Sequence, residues 1–224
     1  MNTIRCKLQR LALGLALMVV LLPHFTLAES QSATYRVTFT ATWSKKTHPH
    51  AGFPERPFFS PLIGGVHNDR AVYWKVGALA SPGIKLMAEE GVPDGLASDV
   101  KADVDHGLAL AVLSVPTTTD SPGSNTIAEF PITKTFPLVT LVTMFAPTPD
   151  WFTGVSGLSL VDEHGNWVKN KVVMLYPFDA GTQQNGLYAL HQPPEPKRRP
   201  IYSLSGSEWF TTEPVGNFTF SRVR

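Results

Sequence analysis

Apolar and polar residues alternate most regularly between Tyr35 and Trp43, where every second residue is apolar or aromatic. A period of two is typical of a β-strand that buries one face. The pattern therefore predicts a strand over 35–43. Proline, glycine and histidine dominate the stretch that follows, so we expect a loop over 45–59.

Other segments rich in apolar or β-branched residues predict further strands, and Gly165-Asn166 predicts a turn between two of them. The segment 72–76 is either a short strand or the end of a turn. The predicted strands are 138–145, 157–161, 168–176 and 218–223.

The clearest helix signal lies between Ser81 and Gly91. Ser81 can cap the first turn, Pro82 suits the first helical position, and Gly91 can end the helix in a left-handed conformation. A second short helix is predicted over 95–101. Many short strands with few helices indicate a mostly β protein, either a sandwich or a barrel.

The N-terminus predicts export. Three basic residues precede the apolar run Leu11–Leu22, and Thr26-Leu27-Ala28 resembles a signal peptidase site. We expect residues 1–28 to be a signal peptide and residues 29–224 a single domain. An uncleaved N-terminal anchor is the alternative, although the run is shorter than the roughly 20 residues of a spanning helix.

Cleavage changes the composition of the chain. It leaves 196 residues, removes the only cysteine, Cys6, and leaves 16 basic against 18 acidic side chains. The mature protein can then form no disulfide, and its slight negative charge argues against a nucleic-acid partner. The signal, without any disulfide pattern, is of bacterial type and predicts a secreted or periplasmic protein that is not integral to the membrane.

Enzyme motifs are weak. The stretch from Gly154 to Leu158 approaches a serine-hydrolase elbow but has leucine where the last glycine belongs. His48 and His50 lack the spacing of a zinc site. The other histidines are scattered, and the basic triplet 197–199 lies in a proline-rich segment, 191–200, that we expect to be a solvated loop.

Two aspartates stand at predicted strand ends. Asp150 follows the strand that ends at Phe145, and Asp179 follows the strand that ends near Leu175. Such carboxylates can gather at one edge of a sandwich, where Ca²⁺ takes oxygens from carboxylates, carbonyls and hydroxyls. The carbonyls of residues 180–181 and the hydroxyl of Thr182 could add to the site. The alternative is that each aspartate only shapes a turn.

Several strings of residues together resemble the spondin N-terminal domain family. They include Phe58–Gly64, the helix segment 80–91, Pro149–Ser156 and Leu175–Thr182, and the resemblance covers about residues 34–222. It implies an antiparallel β-sandwich, similar to a C2 domain, with one or two short helices in its connections. It also implies an extracellular binding and adhesion module, with no precedent for catalysis.

The resemblance further implies a calcium site. Its ligands would be Asp150, Asp179 and the residue after Thr182, which is acidic in the family but is Gln183 here. A glutamine carbonyl can still bind Ca²⁺, but one negative charge is lost, so the resemblance implies a weak or empty site. Aromatic residues Trp151, Phe152 and Phe178 flank the aspartates, either as core or as an exposed lip.

Three functions are compatible with these features. The first is an exported, non-catalytic module that binds a protein, glycan or lipid ligand and carries a weak Ca²⁺ site. The second is a secreted hydrolase that uses a metal or a carboxylate pair. The third is a structural component of an envelope or extracellular matrix assembly.

Overall fold

The computed structural model describes residues 30–184 and 186–224. The predicted signal peptide therefore lies outside the described residues. Within them, α1 spans Pro82–Glu90 and α2 spans Asp94–Asp105. The strands are β1 (Ser32–Ala41), β2 (Phe58–Phe59), β3 (Leu62–His67), β4 (Ala109–Val115), β5 (Thr119–Asp120), β6 (Gly123–Thr133), β7 (Leu138–Ala146), β8 (Trp151–Ser159), β9 (Asn170–Leu175), β10 (Phe178–Asp179), β11 (Tyr202–Ser203) and β12 (Gly216–Arg222).

The first sheet has four antiparallel strands in the order β6, β1, β12, β9. Strand β1 lies inside this sheet, with Phe39 opposite Asn125 on β6 and Phe218 on β12. The strand predicted over 35–43 is confirmed, although it begins at Ser32 and ends at Ala41. Its alternation follows from its position, because one face of β1 packs on the core and the other faces outward.

The second sheet is built around β7 and β8, which pair antiparallel. The outer side of β8 carries β10 and then β11. The other side of β7 pairs with β3 over its first half and with β2 over its second half. Strand β4 continues beyond β3, and β5 beyond β2. The protein is an antiparallel β-sandwich, as predicted.

Two apolar layers hold the elements together. The larger one lies between the sheets and contains Phe39, Trp43, Leu141 and Trp151. The second layer lies between the β7–β8 sheet and the two helices, and Val142 is one of its members. Because successive residues of a strand point to opposite faces, β7 contributes Leu141 to one layer and Val142 to the other.

The cap signals of α1 are confirmed. The Ser81 side chain accepts a hydrogen bond from the Ile84 N–H, Pro82 occupies the first turn, and Gly91 has a φ of 67°. The second predicted helix is also present, although it is longer than the predicted 95–101. In the part of the chain that the structure describes, neither helix is long and apolar enough to span a bilayer.

Several boundaries differ from prediction. The predicted loop 45–59 ends in strand β2. The first three residues of the predicted strand 157–161 belong to β8, which begins at Trp151 and ends at Ser159. Segment 72–76 forms no strand and contains a turn. Strands β3, β4 and β6 were not predicted. Strand β3 is buried along its whole length, so it shows no alternation from which a strand could be read.

Candidate cation site

Asp150 and Asp179 meet at one edge of the second sheet. Asp150 immediately precedes β8, and Asp179 is the last residue of β10. Since β10 pairs antiparallel with β8, Asp179 lies opposite Trp151, and the Ala180 N–H donates to the Asp150 carbonyl at 3.1 Å. Asp179 therefore belongs to a short strand, and not to the loop that we predicted.

The Asp150 carboxylate is asymmetric in its contacts. Its Oδ2 accepts three hydrogen bonds, from the Thr182 N–H at 2.7 Å, the Thr182 hydroxyl at 3.0 Å and the Gln183 N–H at 3.1 Å. Its Oδ1 is buried and has no hydrogen-bond partner. A buried charged oxygen without a partner is costly, and native structures seldom leave one so.

The Asp179 carboxylate is held by Gly181, which follows β10, and by Tyr202 on β11. Its Oδ1 accepts from the Gly181 N–H at 2.7 Å, and its Oδ2 accepts from the Tyr202 hydroxyl at 3.0 Å. The Arg199 guanidinium lies 4.0 Å from Oδ1 and also forms a 2.7 Å ion pair with Glu195. Arg199 therefore offsets only part of the negative charge of the aspartate pair.

Burial and like charge act together on this pair. Both aspartates are fully buried. Burial, followed by the charge of Asp179, raises the pKa of Asp150 to about 6, against the opposing effect of its three hydrogen bonds. The environment thus disfavours two negative charges side by side and favours a species that neutralises one of them, either a proton or a bound cation.

Gln183 contacts the aspartate pair through its backbone, whereas its side chain contacts Gln192. Its backbone N–H donates to Asp150, while its Oε1 accepts from the Gln192 N–H at 3.0 Å. A carbonyl oxygen has two lone pairs, so this bond leaves Oε1 one further acceptor site. Gln183 also forms an isolated antiparallel bridge with Pro194.

Two of the neighbouring oxygens named from the sequence, the Gly181 carbonyl and the Thr182 hydroxyl, already take part in hydrogen bonds. The Gly181 carbonyl accepts from the Arg199 N–H at 2.9 Å, and the Thr182 carbonyl accepts from the Glu195 N–H at 3.0 Å. The Thr182 hydroxyl donates to Asp150. These contacts fix the loop geometry around the pair.

The residues present fit a hard cation better than a transition metal. Among residues 30–184 and 186–224, no group of three or more His, Cys, Asp or Glu side chains is arranged to hold a metal ion. A cation here would depend on two carboxylates and on neutral oxygens, which is the chemistry that Ca²⁺ accepts. The unpartnered Oδ1 of Asp150 is the atom that a cation would satisfy.

The flanking aromatic residues belong to the core. Trp151 and Phe152 are fully buried, and Phe178 packs against Trp74 with ring centroids 5.0 Å apart. The alternative of an exposed aromatic lip is therefore wrong for Trp151 and Phe152. Their burial places the aspartate pair on a rigid support.

Sequence reasoning missed Arg199, Tyr202 and Gln192. We expected Arg199 to lie in a solvated loop, but it is half-buried against Asp179 and Glu195. Tyr202 reaches Asp179 only because strand β11 pairs with β10. The basic and aromatic residues between 191 and 202 were visible in the sequence, but no periodicity indicated where this segment docks.

The candidate histidines have structural roles. His48 is buried, and its ring nitrogens contact the Thr47 hydroxyl and the Glu213 carbonyl, while His50 packs against the ring of Trp209. His67 lines a surface cavity, but both of its ring nitrogens are engaged, by the Asn68 carbonyl and the Thr140 hydroxyl, each at 2.8 Å. These bonds do not leave His67 a free nitrogen for base catalysis.

His67 should make the stability of the protein depend on pH. Desolvation lowers its pKa, against the raising effects of the Asn68 carbonyl and Asp103. A neutral buried histidine stabilises the fold fully above about pH 6.5, and this contribution is lost as the pH falls below that value. We therefore expect His67→Gln to destabilise the protein by about 1–3 kcal/mol at pH 7.5, and by less at pH 5.

Urea denaturation at the two pH values measures this difference. His164→Gln is the matched control, because His164 is exposed in a turn and its loss removes no buried hydrogen bond. A destabilisation by His67→Gln that is equal at pH 7.5 and pH 5 would contradict the neutral, buried assignment.

The fold and the site together define a class, that of an antiparallel β-sandwich module with a buried aspartate pair at one sheet edge. The Spondin_N family model matches residues 33–213, which include both aspartates and almost all of the described strands. The chain belongs to this family, so the resemblance inferred from the sequence is confirmed.

Two relatives show how far the similarity extends. The chain is 34% identical to Spondin-1 of Rattus norvegicus over 192 residues, which cover 83% of this chain and 24% of that protein. It is 34% identical to Spondin-2 of Homo sapiens over 160 residues, which cover 67% of this chain and 46% of that protein. The chain thus spans less than half the length of the relatives that it matches.

Proposed function

We propose that this chain is an exported, non-catalytic binding or adhesion module whose aspartate pair takes up Ca²⁺ with low affinity. Membership of the spondin family supports the binding role. The N-terminal sequence supports export, to the periplasm or the medium. The buried pair Asp150 and Asp179 supports the binding of a cation.

One observation carries the calcium proposal. Two fully buried carboxylates lie together, one with an unpartnered oxygen, and the nearby Arg199 divides its charge between Asp179 and Glu195. A divalent cation would satisfy the free Oδ1 of Asp150 and remove the repulsion within the pair. Burying a charge is favourable only when it is paired in this way.

The chain's own residues would hold the ion and limit its affinity. Asp150, Asp179 and Gln183 are the proposed ligands, with waters completing the six to eight oxygens that Ca²⁺ takes. Only two of the three protein ligands are charged. Since affinity follows the number of charged ligands, we expect binding in the weak range of extracellular calcium modules, about 10⁻⁴–10⁻³ M.

The ion would act on the loops that carry recognition. Asp150 precedes β8, Asp179 ends β10, and Gln183 forms the antiparallel bridge to Pro194. A cation bound by all three would fasten these segments to one another and to the sheet edge. In this proposal Ca²⁺ has a structural role, and no reaction step depends on it.

Calcium should stabilise the purified protein. After treatment with a chelator, addition of Ca²⁺ at ten times its dissociation constant should raise stability by about 1.4 kcal/mol, which corresponds to roughly 3 °C in melting temperature. Differential scanning calorimetry measures the shift. Asp179→Asn should remove it, because it deletes one of the two charged ligands while keeping the side-chain shape.

The control for Asp179→Asn is Asp162→Asn, which changes the same residue type in an exposed turn and should leave the calcium shift intact. No shift in the chelator-treated wild-type protein at about 10 mM Ca²⁺ would overturn the calcium proposal. The assignment to the spondin family does not depend on this result.

Gln183→Glu should strengthen calcium binding by about tenfold, because it adds a third carboxylate to the site. The shape of the side chain is kept, and its Oε1 can still accept from the Gln192 N–H. Isothermal titration calorimetry with Ca²⁺ measures the change.

The neighbouring residue provides a control of equal charge. Gln184 is exposed, and its side chain contacts the Pro194 carbonyl rather than the aspartates. Gln184→Glu should alter calcium affinity little. Equal effects of the two substitutions would show that the gain comes from overall charge, and Gln183 would then not be a ligand.

A further inference from the structure

An exposed apolar loop lies on the same side of the molecule as Arg199. Val72, Val76 and Leu79 are 67%, 50% and 57% exposed. They stand in the connection between β3 and α1, in which Tyr73 and Trp74, between Val72 and Val76, are buried. Aliphatic side chains this exposed and this close together mark an interaction surface more often than isolated ones do.

This loop forms the wall between two open cavities. The first has a volume of about 470 Å³ and is lined by Ala71, Trp74 and Leu138, among others. The second has a volume of about 500 Å³ and runs along Pro200 and Tyr202 to Arg199. Val76 lines both, so the two cavities are neighbours, and we call them together the Val76 groove.

The Val76 groove is held in place by hydrogen bonds of its backbone. The Gly77 N–H donates to the Ile201 carbonyl at 2.9 Å, and the Ile201 N–H donates to the Ala78 carbonyl at 2.8 Å. The Ser156 hydroxyl donates to the Trp74 carbonyl at 2.6 Å. A ligand would therefore meet a largely formed surface, and little ordering of the loop would be needed on binding.

The charges around the groove are mainly positive. Lys75 lines it, and Arg198 is anchored beside Leu79 by a hydrogen bond to the Ala80 carbonyl. Neither side chain, nor that of Lys197, forms an ion pair within the described part of the chain. Asp69 also lines the first cavity, and Arg199 faces two carboxylates, the buried Asp179 and Glu195.

We propose that the Val76 groove binds an extended acidic segment of a partner protein, with apolar side chains in the two cavities and carboxylates against Lys75 and Arg198. This inference rests on the proposed binding function, and it specifies the partner as an acidic, extended peptide segment. Concave, apolar cavities suit the side chains of a peptide better than a flat bilayer surface. The unpaired cations give the charge complementarity that selects an acidic sequence.

Selection from a phage-displayed library of random twelve-residue peptides tests the proposal. Peptides selected on the immobilised protein should be enriched in Asp and Glu together with large apolar residues. Fluorescence anisotropy should then show that Val72→Ser/Val76→Ser, which changes two residues that line the first cavity, weakens binding at least tenfold, and that Lys75→Glu/Arg198→Glu does the same. Both pairs are on the surface, so the fold should be retained.

The matched control is Val172→Ser/Met174→Ser, which removes two equally exposed aliphatic side chains from β9 and should leave binding unchanged. Selected peptides without an acidic excess, or equal losses in groove and control variants, would overturn the proposal. It would also be overturned if the groove variants lost binding to phosphatidylserine vesicles or to heparin while binding the peptides as wild type does.

Measurements in Ca²⁺ and in chelator separate this proposal from the calcium site. Peptide binding that persists in chelator, together with no calcium stabilisation, would support the peptide-binding proposal and contradict the calcium proposal. If calcium stabilises the protein but no acidic peptides can be selected, the calcium proposal is supported and the peptide-binding proposal is contradicted.

Discussion

Asp150→Ala should destabilise the protein by about 3 kcal/mol in the absence of calcium, whereas Asp150→Asn should keep or raise its stability. Alanine leaves the Thr182 N–H, the Thr182 hydroxyl and the Gln183 N–H without their shared acceptor. Asparagine keeps an acceptor for these three donors. It also removes one of two buried like charges, and its Nδ2 takes the place of the unpartnered Oδ1.

The same asparagine variant should lose its response to calcium, because a charged ligand has been removed. Chemical denaturation in chelator and in Ca²⁺ measures both properties in one series. The account is contradicted if Asp150→Asn destabilises the apo protein as much as Asp150→Ala does. Such a result would mean that the second negative charge is required for the fold itself.

Gly181→Ala should cost several kcal/mol and should also remove the calcium response. Gly181 has a φ of 69°, and a Cβ at this position would lie 2.1 Å from the Arg199 carbonyl oxygen, a backbone atom that cannot move independently. The left-handed conformation adds about 1 kcal/mol of strain for alanine. Since the Gly181 N–H also donates to Asp179, any shift of this residue displaces the site.

Gly165→Ala is the matched control for backbone strain. Gly165 has a φ of 83°, but a Cβ there would meet no atom within 4 Å. It should therefore cost only about 1 kcal/mol and leave calcium binding intact. Calorimetric melting of the two variants compares them directly, and equal destabilisation would show that the contact with residue 199 is unimportant.

The parts of the fold that could be predicted from the sequence are those with a local pattern. Strand β1 alternates because it is buried on one face, and α1 carries both of its caps in the sequence. Strand β3 could not be recognised, because it is buried on both faces and contains two glycines. Glycine is required at position 64 by a contact distant in the sequence, because a Cβ there would lie 1.9 Å from the Thr140 carbonyl oxygen.

The two-residue strands could not be predicted from the sequence either. Strand β10 exists only because it pairs with β8 and β11, and neither partner is close to it in the sequence. Local propensity carries little information about such elements, which tertiary context decides. The prediction therefore placed Asp179 in a loop.

The two aspartates were found from their positions at strand ends and from the family resemblance. Their environment was not predictable in the same way. Arg199 and Tyr202 reach Asp179 from a segment about 20 residues further along the chain, whose composition indicates only a loop. Likewise, the hydrogen bond from the Gln192 N–H to the Gln183 side chain accompanies an antiparallel bridge between Gln183 and Pro194, which no local pattern in the sequence indicates.

A crystal structure of the protein soaked in calcium would show whether Asp150 and Asp179 bind the same ion. We expect one ion at about 2.3–2.6 Å from Oδ1 of Asp150, with an oxygen of Asp179 in the same coordination shell. The account would be contradicted if, in saturating calcium, this oxygen had no ion beside it or the aspartate pair were bridged only by a protein side chain.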